Sequence, residues 1–219
     1  MLPSSERVKD TFIPSQLEKA RVRTWEAVRA IAAKMEIGML EADARILAED
    51  TLKQMGAERY WHRTHVRFGV NTLQTFSDTS LPGVRLQPRD LFFLDIGPVW
   101  EGYEGDCGQT FVVGDDPEMV RCAADSKALF EIVKQRWFET SESGQRLYAF
   151  AQEQAAARGW QFILRGASGH RLSDFPHVLY HKGTLHAFDG RPSEARWVLE
   201  IQLRHPKRQF GAFYEDLLV

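Results

Sequence analysis

The residues of this chain best suited to chemistry are four carboxylates and one histidine: Asp95, Asp106, His170, Glu200 and Glu215. Asp95 and Asp106 lie in LFFLDIGPVWEGYEGDCGQTFVVG, which reads as one β-hairpin. The other three follow in later apolar runs: His170 in GASGHRLSDFPH, Glu200 in RWVLEIQL and Glu215 in GAFYEDLLV. A carboxylate within an apolar strand is costly to bury unless it is paired or metal-bound. Four carboxylates drawn together repel unless cations offset their charge, and two divalent ions would do so. An oxygen-rich set with one imidazole suits Mn²⁺, Fe²⁺, Co²⁺ or Zn²⁺. Taken singly, each residue has a plainer reading. Asp95 could be salt-bridged or solvated, Asp106 a turn residue, His170 structural, and either Glu a solvent-facing residue of an edge strand. The five together are harder to explain that way.

The elements that must position them begin after an irregular arm at residues 1–13. Ser15 and Glu18 read as a capping box that opens a helix. Its apolar positions Leu17, Val22, Trp25, Val28 and Ile31 fit a 3.6 period, and it should stop near Gly38. A second helix is expected over Glu41 to Met55, ended by Gly56. Residues 58–76 are rich in aromatic and β-branched types and read as strands. Residues 91–97 and 107–113 read as hairpin arms around a Gly-rich turn. Pro117 opens a helix to about Glu139, and Ser143 another that ends at Gly159. A strand at 160–164, a weakly periodic segment at 165–192 and strands at 196–203 and 210–218 complete the chain. Helix, helix, strands recurs in both halves, so two αβ lobes around a joint sheet are expected, with the site between them.

The 219 residues fit one large domain, 14–219, behind the arm. Net charge is -2, with no basic excess for nucleic acid and no basic run for a lipid surface. No apolar stretch approaches the roughly 18 residues of a membrane span. The N-terminus lacks the apolar core of a signal peptide. Cys107 and Cys122 are the only cysteines, so a cytoplasmic location is the default expectation. Cys107 should point away from Asp106 as a small core residue. The run Arg204 to Arg208 could bind a substrate carboxylate or form a solvated turn. Asp216 is expected to be the exposed neighbour of Glu215.

The order Asp, Asp, His, Glu, Glu, with D-x10-D in the hairpin and GH-x6-H in the later segment, resembles the pita-bread metallopeptidases. These include methionine aminopeptidases and Xaa-Pro dipeptidases. The resemblance runs from the first helix to the last Glu. It implies an α+β pita-bread fold, with two similar lobes around a curved, mainly antiparallel sheet. It further implies a dinuclear metallohydrolase acting on an N-terminal peptide bond, with two divalent ions (Mn, Co, Fe or Zn). Asp95 would bind one ion, Asp106 and Glu215 would bridge both, and His170 and Glu200 would complete the set. A water held between the ions would attack the scissile carbonyl, and Glu200 would accept its proton. His177, the second histidine of the segment, would stabilise the oxyanion or contact the substrate carbonyl.

Several positions depart from that pattern. The family's GHGIG is here Gly169-His170-Arg171-Leu172-Ser173, and the bulkier residues could narrow the cleft. The stretch Thr75-Phe76-Ser77-Asp78 lacks a substrate-binding histidine, for which His65 or His62 could substitute. Phe213 stands where Xaa-Pro dipeptidases often carry Arg, and no Pro follows Glu200. The chain corresponds to a minimal catalytic-domain form. The expected function is an Xaa-Pro dipeptidase-like aminopeptidase or dipeptidase taking a peptide or small-molecule substrate. A non-peptide hydrolase or lyase on the same scaffold, or an inactive binding module, are the alternatives. If the chain associates, a symmetric homodimer is the expected form.

Overall fold

In the computed structural model, which describes residues 4–176 and 179–219, four helices cover one face of a seven-stranded antiparallel sheet. The helices are α1 (Pro14–Ala32), α2 (Glu41–Gln54), α3 (Pro117–Glu139) and α4 (Gly144–Ala157). The first half carries β1 (Arg59–Tyr60), β2 (His65–Phe68), β3 (Asp90–Ile96), β4 (Pro98–Trp100), β5 (Tyr103–Glu104) and β6 (Cys107–Val113). The second half carries β7 (Gln161–Phe162), β8 (His170–Arg171), β9 (Trp197–Arg204) and β10 (Gly211–Leu217). The large sheet runs β2-β3-β6-β10-β9-β7, with β8 also paired to β9. A small second sheet, β1-β4-β5, crosses the tip of the β3–β6 hairpin. The Gly-rich turn expected there is thus a hairpin of its own.

Side chains alternate across a strand, and here the alternation divides apolar from chemical residues. Phe92, Leu94 and Ile96 of β3 pack with Val28 and Ile31 of α1 and Leu52 of α2. Leu199, Ile201 and Leu203 of β9 and Tyr214 of β10 pack with Leu129, Phe130 and Val133 of α3 and Leu147 of α4. The intervening residues, including Asp95, Glu200 and Glu215, face the opposite side. Each helix pair therefore fixes its own half of the sheet, as expected of two αβ lobes.

Some local expectations are revised. Helix α1 opens with Pro14 at its first position, where the missing N–H costs nothing, and Ser15 makes no cap bond. It ends at Ala32, short of Gly38, and Val22 is exposed. Asp116 and Ser143 do cap α3 and α4 with their side chains. Residues 69–73 form a 3-10 turn in place of strand. Asp216 is buried on the helix face, where Arg21 of α1 grips both its oxygens at 2.6 Å. Arg208 of the basic turn is bound to Asp116 and Glu118 at the start of α3. No helix among the described residues is long and apolar enough to cross a membrane.

Candidate metal centre

Strand register places the site. Asp95 pairs with Gly108, Gly108 with Glu215, and Glu215 with Glu200. His65 pairs with Asp95 on the other flank. One rung of the sheet therefore reads His65, Asp95, Gly108, Glu215, Glu200, with Asp106 two residues before its centre. Gly108 is needed there. A Cβ at that position would lie 2.5 Å from the Phe213 ring and 2.9 Å from the Leu94 carbonyl oxygen. Beside it, Thr110 Oγ1 donates to Phe213 O at 3.0 Å and accepts from Phe213 N at 2.7 Å, locking β6 to β10. Tyr148 of α4 bonds the backbone of Glu200 from below.

His170 of β8 comes over this rung. Its Nε2 is 3.1 Å from Asp106 Oδ2, 3.7 Å from Glu200 Oε1 and 3.8 Å from Glu215 Oε1. The five expected residues thus converge. Among the described residues, two groupings bring ligand atoms within 4.8 Å of one another: Asp106 with His170 and Glu215, and His62 with Asp95 and Asp106. The glycines replaced after His170 do not narrow the cleft. Arg171 turns away to the backbone of Ser5, Arg7 and Arg196, and Leu172 packs with Leu17, Val198 and Leu217. His177 lies outside the described residues.

The electrostatics are those of crowded, buried carboxylates. Burial pushes the Asp95 carboxyl up to about 7, with Asp106 adding to the rise. Burial also raises Glu200 and, aided by Asp106 and Asp95, lifts Glu215 well above the usual range. Asp106 goes the other way: despite its burial, His62 and His170 hold it low. Glu215 Oε2 is buried with no hydrogen bond, and Asp106 Oδ2 faces His170 Nε2 at 3.1 Å. A buried oxygen without a donor, beside crowded carboxylates, fits divalent cations well. His65 is driven to about 3 by burial, with Arg67 and His62 reinforcing, so it is neutral at physiological pH.

The carboxylates floor a cavity of about 530 Å³, within the range of small-ligand sites. Trp61, Phe76, Phe93 and Phe213 supply apolar walls, and His65 and Gln202 polar ones. Residues whose role the sequence did not expose are Arg67, Phe76 and Glu104. Arg67 faces the cavity but is committed to Ser80, Thr75 O and Asp78 O. Glu104 is fully buried next to Asp106, with burial raising its carboxyl. Its position two residues before Asp106, on the same strand face, was the available signal.

The sequence profile of metallopeptidase family M24 matches residues 15–219. The chain belongs to this family. Among solved structures, X-Pro aminopeptidase from Thermotoga maritima superposes with TM-score 0.75 at 20% identity, over 96% of this chain and 58% of that one. Prolidase from Pyrococcus horikoshii gives 0.72 at 20% identity, over 92% and 57%. Methionine aminopeptidase from Thermotoga maritima gives 0.71 at 17% identity, over 95% and 93%. The chain spans a little under three fifths of the first two proteins and nearly all of the third. These likenesses establish the pita-bread fold of the M24 metallopeptidases. Among curated protein sequences, none matches this chain.

Proposed function

We propose that this M24 chain is a two-metal aminopeptidase or Xaa-Pro dipeptidase-like hydrolase that releases the N-terminal residue of a short peptide. The observation that carries the reading is the convergence of Asp95, Asp106, His170, Glu200 and Glu215 at the floor of one cavity. Asp106, common to both groupings, and Glu215 would be shared between the ions; Asp95 sits on one flank and His170 with Glu200 on the other. When bound, divalent ions would acidify water and polarise a carbonyl oxygen. Glu200, buried and with a raised pKa, is suited to take a proton from the attacking water and pass it to the leaving amine. Neutral His65, whose Nε2 is buried without a hydrogen bond, is placed to contact the substrate. His177 keeps its proposed role at the oxyanion. The apolar walls favour a small or apolar N-terminal side chain.

Phe213 in place of Arg leaves that position without a partner for a substrate C-terminal carboxylate. This favours peptides cut from the N-terminus over free dipeptides. Incubation of Mn²⁺- or Co²⁺-loaded protein with tripeptides and Xaa-Pro dipeptides, followed by mass spectrometry, tests the reading. Release of the first residue, faster from tripeptides, is expected. Loaded protein that cleaves none of them contradicts it and favours a non-peptide substrate.

A further inference from the structure

His62 makes the same arrangement as His170, on the other side of Asp106. The Nδ1 of His170 is 3.0 Å from the carbonyl oxygen of Arg171, and the Nδ1 of His62 is 2.9 Å from that of Arg63. Each ring therefore donates Nδ1–H to the next residue's carbonyl, which aims Nε2, the atom that would bind an ion, at the carboxylates. His62 Nε2 lies 3.3 Å from Asp106 Oδ1 and 3.6 Å from Asp95 Oδ1. Two ligand atoms each about 2.1 Å from one ion stand about 3.0 Å apart at a right angle and about 3.4 Å apart at a tetrahedral angle. The His62 distances match that range as well as those of His170 do.

Space for the ring is built into the strand. A Cβ on Gly97 would lie 2.5 Å from His62 Nε2, so only glycine admits the imidazole at this depth. The His62 side chain is 9% exposed, and it leaves little surface for a ligand to reach except through the carboxylates. Charge agrees as well. Four carboxylates balance two divalent ions, and a second neutral imidazole adds a donor without adding charge.

We infer that His62 is a sixth metal ligand, completing with Asp95 and Asp106 the ion opposite the one held by His170. Each ion then has one imidazole, and Asp106 is shared. This rests on the two-ion reading above. His62 is in this view a ligand and not a substrate contact, while His65 remains the substrate-facing ring.

The test uses Mn²⁺ alone. Calorimetric titration of metal-free protein should give two ions per chain in the wild type. In His62→Ala one ion should keep its affinity and the other weaken ~100-fold or more. Gly97→Ala, which keeps the imidazole but displaces it, should weaken the same ion. Pulsed EPR of His170→Ala carrying one Mn²⁺ should retain imidazole ¹⁴N coupling, and the His62→Ala/His170→Ala double variant should lose it. Absence of that coupling in His170→Ala, or two ions at wild-type affinity in His62→Ala, overturns the assignment. A wild type that binds one ion refutes the two-ion reading instead, and the ¹⁴N coupling then still decides His62 on its own.

Discussion

Removing the metal should make stability fall as pH rises. In the metal-free protein the Asp95 carboxyl is raised from 3.8 to about 7, with Glu200 and Glu215 also raised by burial. Carboxyls with raised folded pKa stabilise fully below the unfolded pKa, and that stability is lost as pH climbs through the folded value. His62 and His170 act in the same direction. Burial opposes their protonation, but Asp95 and Asp106 lift His62 to about 10, and Asp106 and Glu215 lift His170. Asp106, held low, and His65, lowered to about 3 by burial, contribute oppositely, and their shares are constant above about pH 4 and about pH 6.5 respectively. Each tenfold change in proton affinity is about 1.4 kcal/mol, so His62, raised from 6.5 to about 10, loses on the order of 3 kcal/mol between about pH 6.5 and 8.5. For a domain of this size that is roughly 10 °C of Tm. Thermal melts of chelated protein between about pH 6.5 and 8.5 should show such a fall. Mn²⁺-loaded protein should instead gain stability toward higher pH, because protons cease to compete for the ligands. A metal-free Tm that is flat or rises over this window would refute the buried, crowded carboxylates on which the site depends.

Further outcomes follow from individual contacts. Glu200→Gln should lower kcat by about 10²–10⁴-fold for released N-terminal residues in a stopped assay, while the fold persists by circular dichroism. Gly108→Ala should destabilise by about 1–3 kcal/mol in denaturant titration, because its methyl collides with Phe213 and Leu94 O. Thr110→Val leaves the Phe213 N–H and C=O without their partner and should cost about 1–3 kcal/mol in the same titration.

Two of the candidate ligands were legible because each broke a local rule. Asp95 and Glu200 interrupt apolar strands, and a charged residue in such a place needs a partner. The helix pairs and the two final strands were legible from periodicity and caps. His62 was not, because it lies on an irregular segment between β1 and β2, where periodicity carries no information about direction. The pairing of β1 with β4, and the Trp61 N–H bond to Gly97 O that follows it, bring it to Asp106. Asp216 was misplaced for a related reason. Its neighbours Tyr214 and Leu218 mark a buried face, but its partner Arg21 is on α1, far away in sequence. Arg171 similarly looks obstructive beside His170 until the arm that absorbs its guanidinium is in place.

In the function proposed above, these carboxylates hold two ions about Asp106. Calorimetric titration of the metal-free protein with Mn²⁺, with Asp106→Ala as the paired control, tests it most directly. Two ions per chain in the wild type and loss of both tight sites in the variant are expected. No specific binding in the wild type, or two tight sites surviving in Asp106→Ala, would contradict the account.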